Sequence, residues 1–115
     1  MTIQEMFNKA YLGLASQGFQ RCISEDGRCV YSSNDATMHC AWGWVDPSLG
    51  PEVTGSVKSL RDNSMMGVAA TLSESDLIFA LELQNAHDSA ADSKYMRTRL
   101  GVVARNYNLT IPEVP

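Results

Sequence analysis

No run in this sequence approaches the 18 or more apolar residues that cross a bilayer, and the N-terminus has no basic start, apolar middle and small-residue cleavage site of a secretory leader. A membrane-spanning helix is therefore not expected, and a cytoplasmic location is. Cysteine is sparse and odd in number: Cys22, Cys29 and Cys40 include no Cys-x-x-Cys pair, which argues against a disulfide framework or a zinc knuckle and for reduced thiols. No glycine-rich phosphate loop and no recognised metal motif occurs, so no cofactor is expected. Basic residues are also few. Nine stand against 13 acidic ones, and the resulting net charge of −4 opposes general attraction to phosphate backbones or anionic lipids. Nucleic acid is thus not the expected partner, although Lys94, Arg97, Arg99 and Arg105 gather in one C-terminal segment. Their ordinary reading is a solvated helix face.

What remains is an ordinary globular composition. An apolar fraction of 44% with 19% charged residues supports a packed core, and 115 residues suit one domain spanning 1–115. The chain opens with Thr2-x-x-Glu5, a capping box, ahead of Ile3, Met6, Phe7, Ala10, Tyr11 and Leu14 at helical spacing, and Gly18 supplies the stop. Asp26-Gly27 between Arg21–Glu25 and Arg28–Ser32 predicts a hairpin closed by a type I′ turn, whose two central residues both need positive φ. Met38–Val45 reads as a third strand, with Met38, Cys40, Trp42 and Trp44 on one face; a short helix starting near Cys40 competes with it.

Pro47, Gly50, Pro51 and Gly55 make Asp46–Gly55 a loop. A short helix after Ser56 and an irregular stretch to Thr71 follow. Ser73-Glu74-Ser75-Asp76 then reads as the N-terminus of a helix through Leu77–Ala90, and a last helix covers Ser93–Tyr107 before an extended tail. The element order predicts an α+β fold: an N-terminal helix, a small antiparallel sheet made of the hairpin plus a possible third strand, and two C-terminal helices.

Polar residues on the Leu77–Ala90 helix supply the candidate chemistry. With Glu82 and Asn85 facing water, Gln84 and His87 turn toward the protein and Asp88 lies at the edge. A half-buried Gln, His and Asp need partners, because an unsatisfied buried polar group costs about 1–3 kcal/mol. Three readings follow. In the first, His87 and Gln84 anchor the helix through backbone or loop hydrogen bonds. In the second, Cys40 or Cys29 is a nucleophile, His87 its base, and Asp88 or Asp46 the orienting acid, an imidazole beside a thiol being one way to form a thiolate near neutral pH. In the third, Cys29, Cys40, His39 and His87 ligate zinc, although His39 and Cys40 would point to opposite faces of a strand. Trp42 and Trp44, if exposed, would serve as binding anchors beside Asp46 and Glu52 on the following loop.

The order Gly27-Arg28-Cys29-Val30-Tyr31, then Cys40-Ala41-Trp42-Gly43 with Asp46-Pro47, then Leu83-Gln84-Asn85-Ala86-His87-Asp88, resembles a family of small uncharacterised phage and prophage proteins. In that family a Cys-x-Tyr segment precedes Cys-Ala-x-Gly and a Leu-Gln-x-x-His-Asp helix. The present sequence departs from it over Ser32–His39, which lacks a glycine-containing turn, and at Trp44-Val45, where an aliphatic pair is usual. The resemblance implies a viral or mobile-element setting and supplies no reaction. The leading functional expectation is a small non-enzymatic interaction protein, an accessory factor, inhibitor or immunity protein that binds a protein through Trp42, Trp44, Asp46 and Glu52. The alternatives are a cysteine-dependent hydrolase or transferase using Cys40, His87 and Asp88, and a nucleotide-binding sponge using Arg97, Arg99 or Arg105.

Overall fold

The structure, a computed structural model, describes residues Met1–Pro115, and its regular elements are all helical. In chain order they are α1 (Ile3–Ser16), α2 (Ala41–Val45), α3 (Val57–Asp62), a 3-10 turn at Gly67–Thr71, α4 (Glu74–Asp88) and α5 (Ser93–Asn106). Local chemistry explains the ends of the long ones. Thr2 Oγ1 accepts from the Glu5 N–H while the Glu5 carboxylate accepts from the Thr2 N–H, closing the capping box on α1. At the other end Gly18 takes φ +68°, and the Phe19 N–H reaches back to the Leu14 carbonyl. Ser56, Ser73 and Asp92 cap α3, α4 and α5 in the same way, each accepting from the N–H three residues on.

α4 is the hub, touching α1, α2, α3 and α5. It buries Leu77, Phe79, Ala80, Leu83, Ala86 and His87 and leaves Ile78, Glu82 and Asn85 exposed. α5 lays Met96, Leu100, Val103 and Ala104 against it, and Tyr107 meets Phe79 edge to face at 5.0 Å. From the other side α1 contributes Met6, Phe7, Ala10, Tyr11 and Leu14 to the same core. The C-terminal tail returns to α1, where the Gln4 side-chain amide pairs with both the N–H and the carbonyl of Thr110.

The predicted α+β class is overturned. No strand forms, and two isolated antiparallel bridges, Ile23 with Cys29 and Ser32 with His39, are the only extended pairings. The expected hairpin turns where Asp26-Gly27 lies and continues only through two backbone bonds, Ser24 N–H to the Arg28 carbonyl and Val30 N–H to the Cys22 carbonyl, about the single Ile23–Cys29 bridge, too short a pairing to make strands. Gly27 has φ +85° while Asp26 is not in the left-handed region, so the turn is not type I′; the Gly27 N–H bonds the Ser24 carbonyl, and Ser24 Oγ takes the Arg28 N–H. Side chains thus satisfy backbone groups that a ladder would have used. The strand reading of Met38–Val45 fails for a related reason. Cys40 adopts an extended N-cap conformation with its sulfur accepting from the Gly43 N–H at 3.3 Å, and the chain winds into α2. Gly43 fits because a Cβ there would collide with the Tyr31 carbonyl oxygen. The rival reading, a short helix starting near Cys40, describes the segment.

No helix is long and apolar enough to cross a membrane.

Candidate functional site

The inner face of α4 carries the polar constellation. His87 is fully buried, and both ring nitrogens are engaged: Nε2 accepts the Cys22 backbone N–H at 2.9 Å, and Nδ1 lies 2.8 Å from Asp88 Oδ1. The first bond requires a lone pair on Nε2, so in the neutral ring the proton sits on Nδ1 and is donated to the carboxylate. Asp88 Oδ1 also accepts from Gln84 Nε2 at 3.2 Å, and Gln84 Oε1 accepts the Trp42 N–H at 2.8 Å. One helical face therefore ties down two segments that have no sheet to hold them, the Cys22 strand-like stretch and the start of α2.

The thiols stand around this network in different states. Burial pushes Cys40 up to about 12, against the opposing pull of the Gly43 N–H and the Gln84 amide. Burial likewise raises Cys22 to about 11. Cys29 lies at the surface, and its thiol is raised first by partial burial and then by the Asp88 carboxylate beside it. No group around these thiols produces a thiolate near neutral pH. The structure brings no hydrogen bond between Cys40 and His87; the imidazole nitrogen with a free lone pair is the one filled by Cys22.

A second grouping is closer. A Cys29 sulfur, a His87 ring nitrogen and an Asp88 oxygen lie within 4.8 Å of one another. Donor chemistry argues against a metal there. An ion on Nδ1 would move the ring proton to Nε2, directly against the Cys22 N–H that now points at it. His39, the other imidazole of the zinc reading, is elsewhere: its Nδ1 lies 2.8 Å from Ser32 Oγ, and Ser32 in turn donates to the Leu49 carbonyl.

The expected binding anchors prove to be mostly internal. Trp42 is fully buried, with an indole N–H that finds no acceptor in the chain. Trp44 is half-buried, packed where Gly13 of α1 has no side chain, with its N–H donated to Gln17 Oε1 at 3.0 Å and its ring edge-on to His39. Asp46 is buried and holds two loops, accepting from the Ser48 hydroxyl and from the Val68 N–H. Glu52 alone of the four is exposed.

A cleft that sequence reasoning missed opens in front of the α4 network. It measures about 440 Å³ and is walled by Arg28–Tyr31, by Pro51 and Val53–Val57, and by Leu81, Gln84, Asn85 and Asp88 of α4. Positions 81, 84, 85 and 88 recur at helical spacing and so share one face, which is the one signal in the sequence that could have found it. Arg97, Arg99 and Arg105 do not line it; Arg97 lies instead over the Phe19 ring at 5.7 Å. Comparison with protein-family models, curated proteins and solved structures gave no match, so nothing there supports a phage setting or an inhibitor or immunity role.

Proposed function

We propose that the chain is a non-enzymatic binding protein that engages a protein partner at the cleft between Arg28–Tyr31, Pro51–Val57 and α4. The observation that carries this reading is the state of His87, whose two nitrogens are both committed to holding the fold. A hydrolase would need that imidazole as a base and a thiolate as nucleophile. Here the base is occupied, and the buried thiols are raised to about 12 and about 11, which keeps them protonated near neutral pH. The same bonds fix the direction of Asp88 and Gln84, so the cleft wall is held rigid before any ligand arrives, a property that favours binding by lowering its ordering cost. Apolar side chains of Val30, Val53, Val57 and Leu81 line the cleft together with a few polar ones, the mixture expected of a recognition site.

A photo-crosslinking residue placed at Asn85, exposed on the cleft wall, tests this in the cells that make the protein, with exposed Lys9 on α1 as the control position. The expected result is a discrete adduct from position 85 and none from position 9. No adduct from either position, or the same adducts from both, would overturn the reading.

A further inference from the structure

The cleft carries one anionic side chain in a defined direction. Asp88 Oδ1 is filled by His87 Nδ1 and Gln84 Nε2, while Oδ2 receives no N–H of the chain, and the side chain is 41% exposed. Asn85, three residues earlier on the same helix face, is exposed and its amide makes no hydrogen bond within the chain. Asp88 Oδ2 and Asn85 Oδ1 thus share one helix face with no N–H donor of the chain on either, the weak Cys29 thiol being the one internal polar hydrogen beside the carboxylate. The cation that also lines the cleft, Arg28, is paired through its Nε with Asp26 at 2.9 Å on the Asp26-Gly27 turn. Val30, Val53, Val57 and, one turn back on α4, Leu81 supply apolar lining to the same cleft.

On the binding reading above, we propose that this cleft receives the guanidinium of a partner's arginine, its aliphatic stem against Val30, Val57 and Leu81 and its head on Asp88 and Asn85. Arginine fits better than lysine because its planar fork offers two N–H groups to two neighbouring acceptors, whereas an ammonium is a compact point charge. The chain's net charge of −4 favours the approach of such a group. His87 acts as a positioning residue: it occupies the inner oxygen and leaves the outer one for the ligand.

The test is a titration of the isotope-labelled full chain, followed by backbone amide shifts, with N-acetyl-arginine methylamide and its lysine and citrulline counterparts. Saturable shifts at Val30, Val57, Asn85 and Asp88 are expected from the arginine probe, with an affinity of about 1 mM. Citrulline, which keeps the shape and loses the charge, should bind about tenfold more weakly. Asp88→Asn should weaken the arginine probe about tenfold, and its amide oxygen can still accept from His87 Nδ1. Leu81→Ala, which leaves the network untouched, should weaken it a few-fold, about threefold, through the stem. Equal binding of arginine and citrulline probes, full affinity in Asp88→Asn, or no saturable shift up to about 20 mM would overturn the proposal. Agmatine separates the two readings. Binding of agmatine about tenfold tighter than the capped arginine would keep the guanidinium site but reassign it to a free small molecule, against the protein-partner reading. A position-85 adduct that persists while the arginine probe fails would keep the partner and remove the guanidinium.

Discussion

The helical frame and the loop girdle of residues 17–56 hold their backbones by opposite means. In α1, α3, α4 and α5 the end groups are satisfied by residues three positions away, as Thr2 and Glu5 satisfy each other. In the girdle several are satisfied from afar. The Cys22 N–H reaches His87, 65 positions on; the Trp42 N–H reaches Gln84; Tyr31 Oη donates to the Gly55 carbonyl; and Gln17 binds both the N–H and the carbonyl of His39. A side chain removed from a local cap should therefore disturb one helix end. One removed from the α4 network should loosen a segment whose other backbone support is a few loop hydrogen bonds.

That contrast can be broken, beginning with its largest consequence. His87→Ala should cost about 3 kcal/mol, because it opens a cavity in a fully buried position and strands the Cys22 N–H. Urea unfolding checks the magnitude, and amide exchange should show faster opening of the girdle around Cys22 and Val30 than of α1. Uniform acceleration across α1 and the girdle would erase the distinction between the two regions. Thr2→Ala should cost less, about 1 kcal/mol, and raise exchange in the first turn of α1 alone. Loss of protection at Cys22 in that variant would show the frame and the girdle to be one cooperative unit.

The smallest effect lies in a locally stabilised loop of the girdle, residues 33–37. Asp35 is held down to about 2 by the Thr37 hydroxyl, then the Ser33 hydroxyl, then the Thr37 N–H. A carboxylate with a lowered folded value contributes stability above its unfolded value of about 4 and loses it as the pH falls toward the folded one. The Thr37 amide shift, which reports the folded state, should accordingly titrate with its midpoint at about 2, with the rest of the girdle unmoved. A midpoint near 4 would mean that those hydrogen bonds do not persist in solution.

The sequence by itself determined the helices that depend only on near neighbours: the Thr2–Glu5 box, the Gly18 stop, Ser73 ahead of α4, and the inward turn of Gln84 and His87 from the 3.6-residue period. It did not determine the girdle. Alternation of apolar residues in Met38–Val45 fits a strand as well as a buried helical turn, and only the Cys40 cap, the close approach of Gly43 to Tyr31 and the Gln84 acceptor decide for the helix. A period is a property of neighbours along the chain, whereas a hydrogen bond between Cys22 and His87 leaves no pattern in the residues around either. The two ring partners of His87, the direction of the Asp88 carboxylate and the cleft before it exist only once α4 has packed against α2 and drawn the loops onto itself.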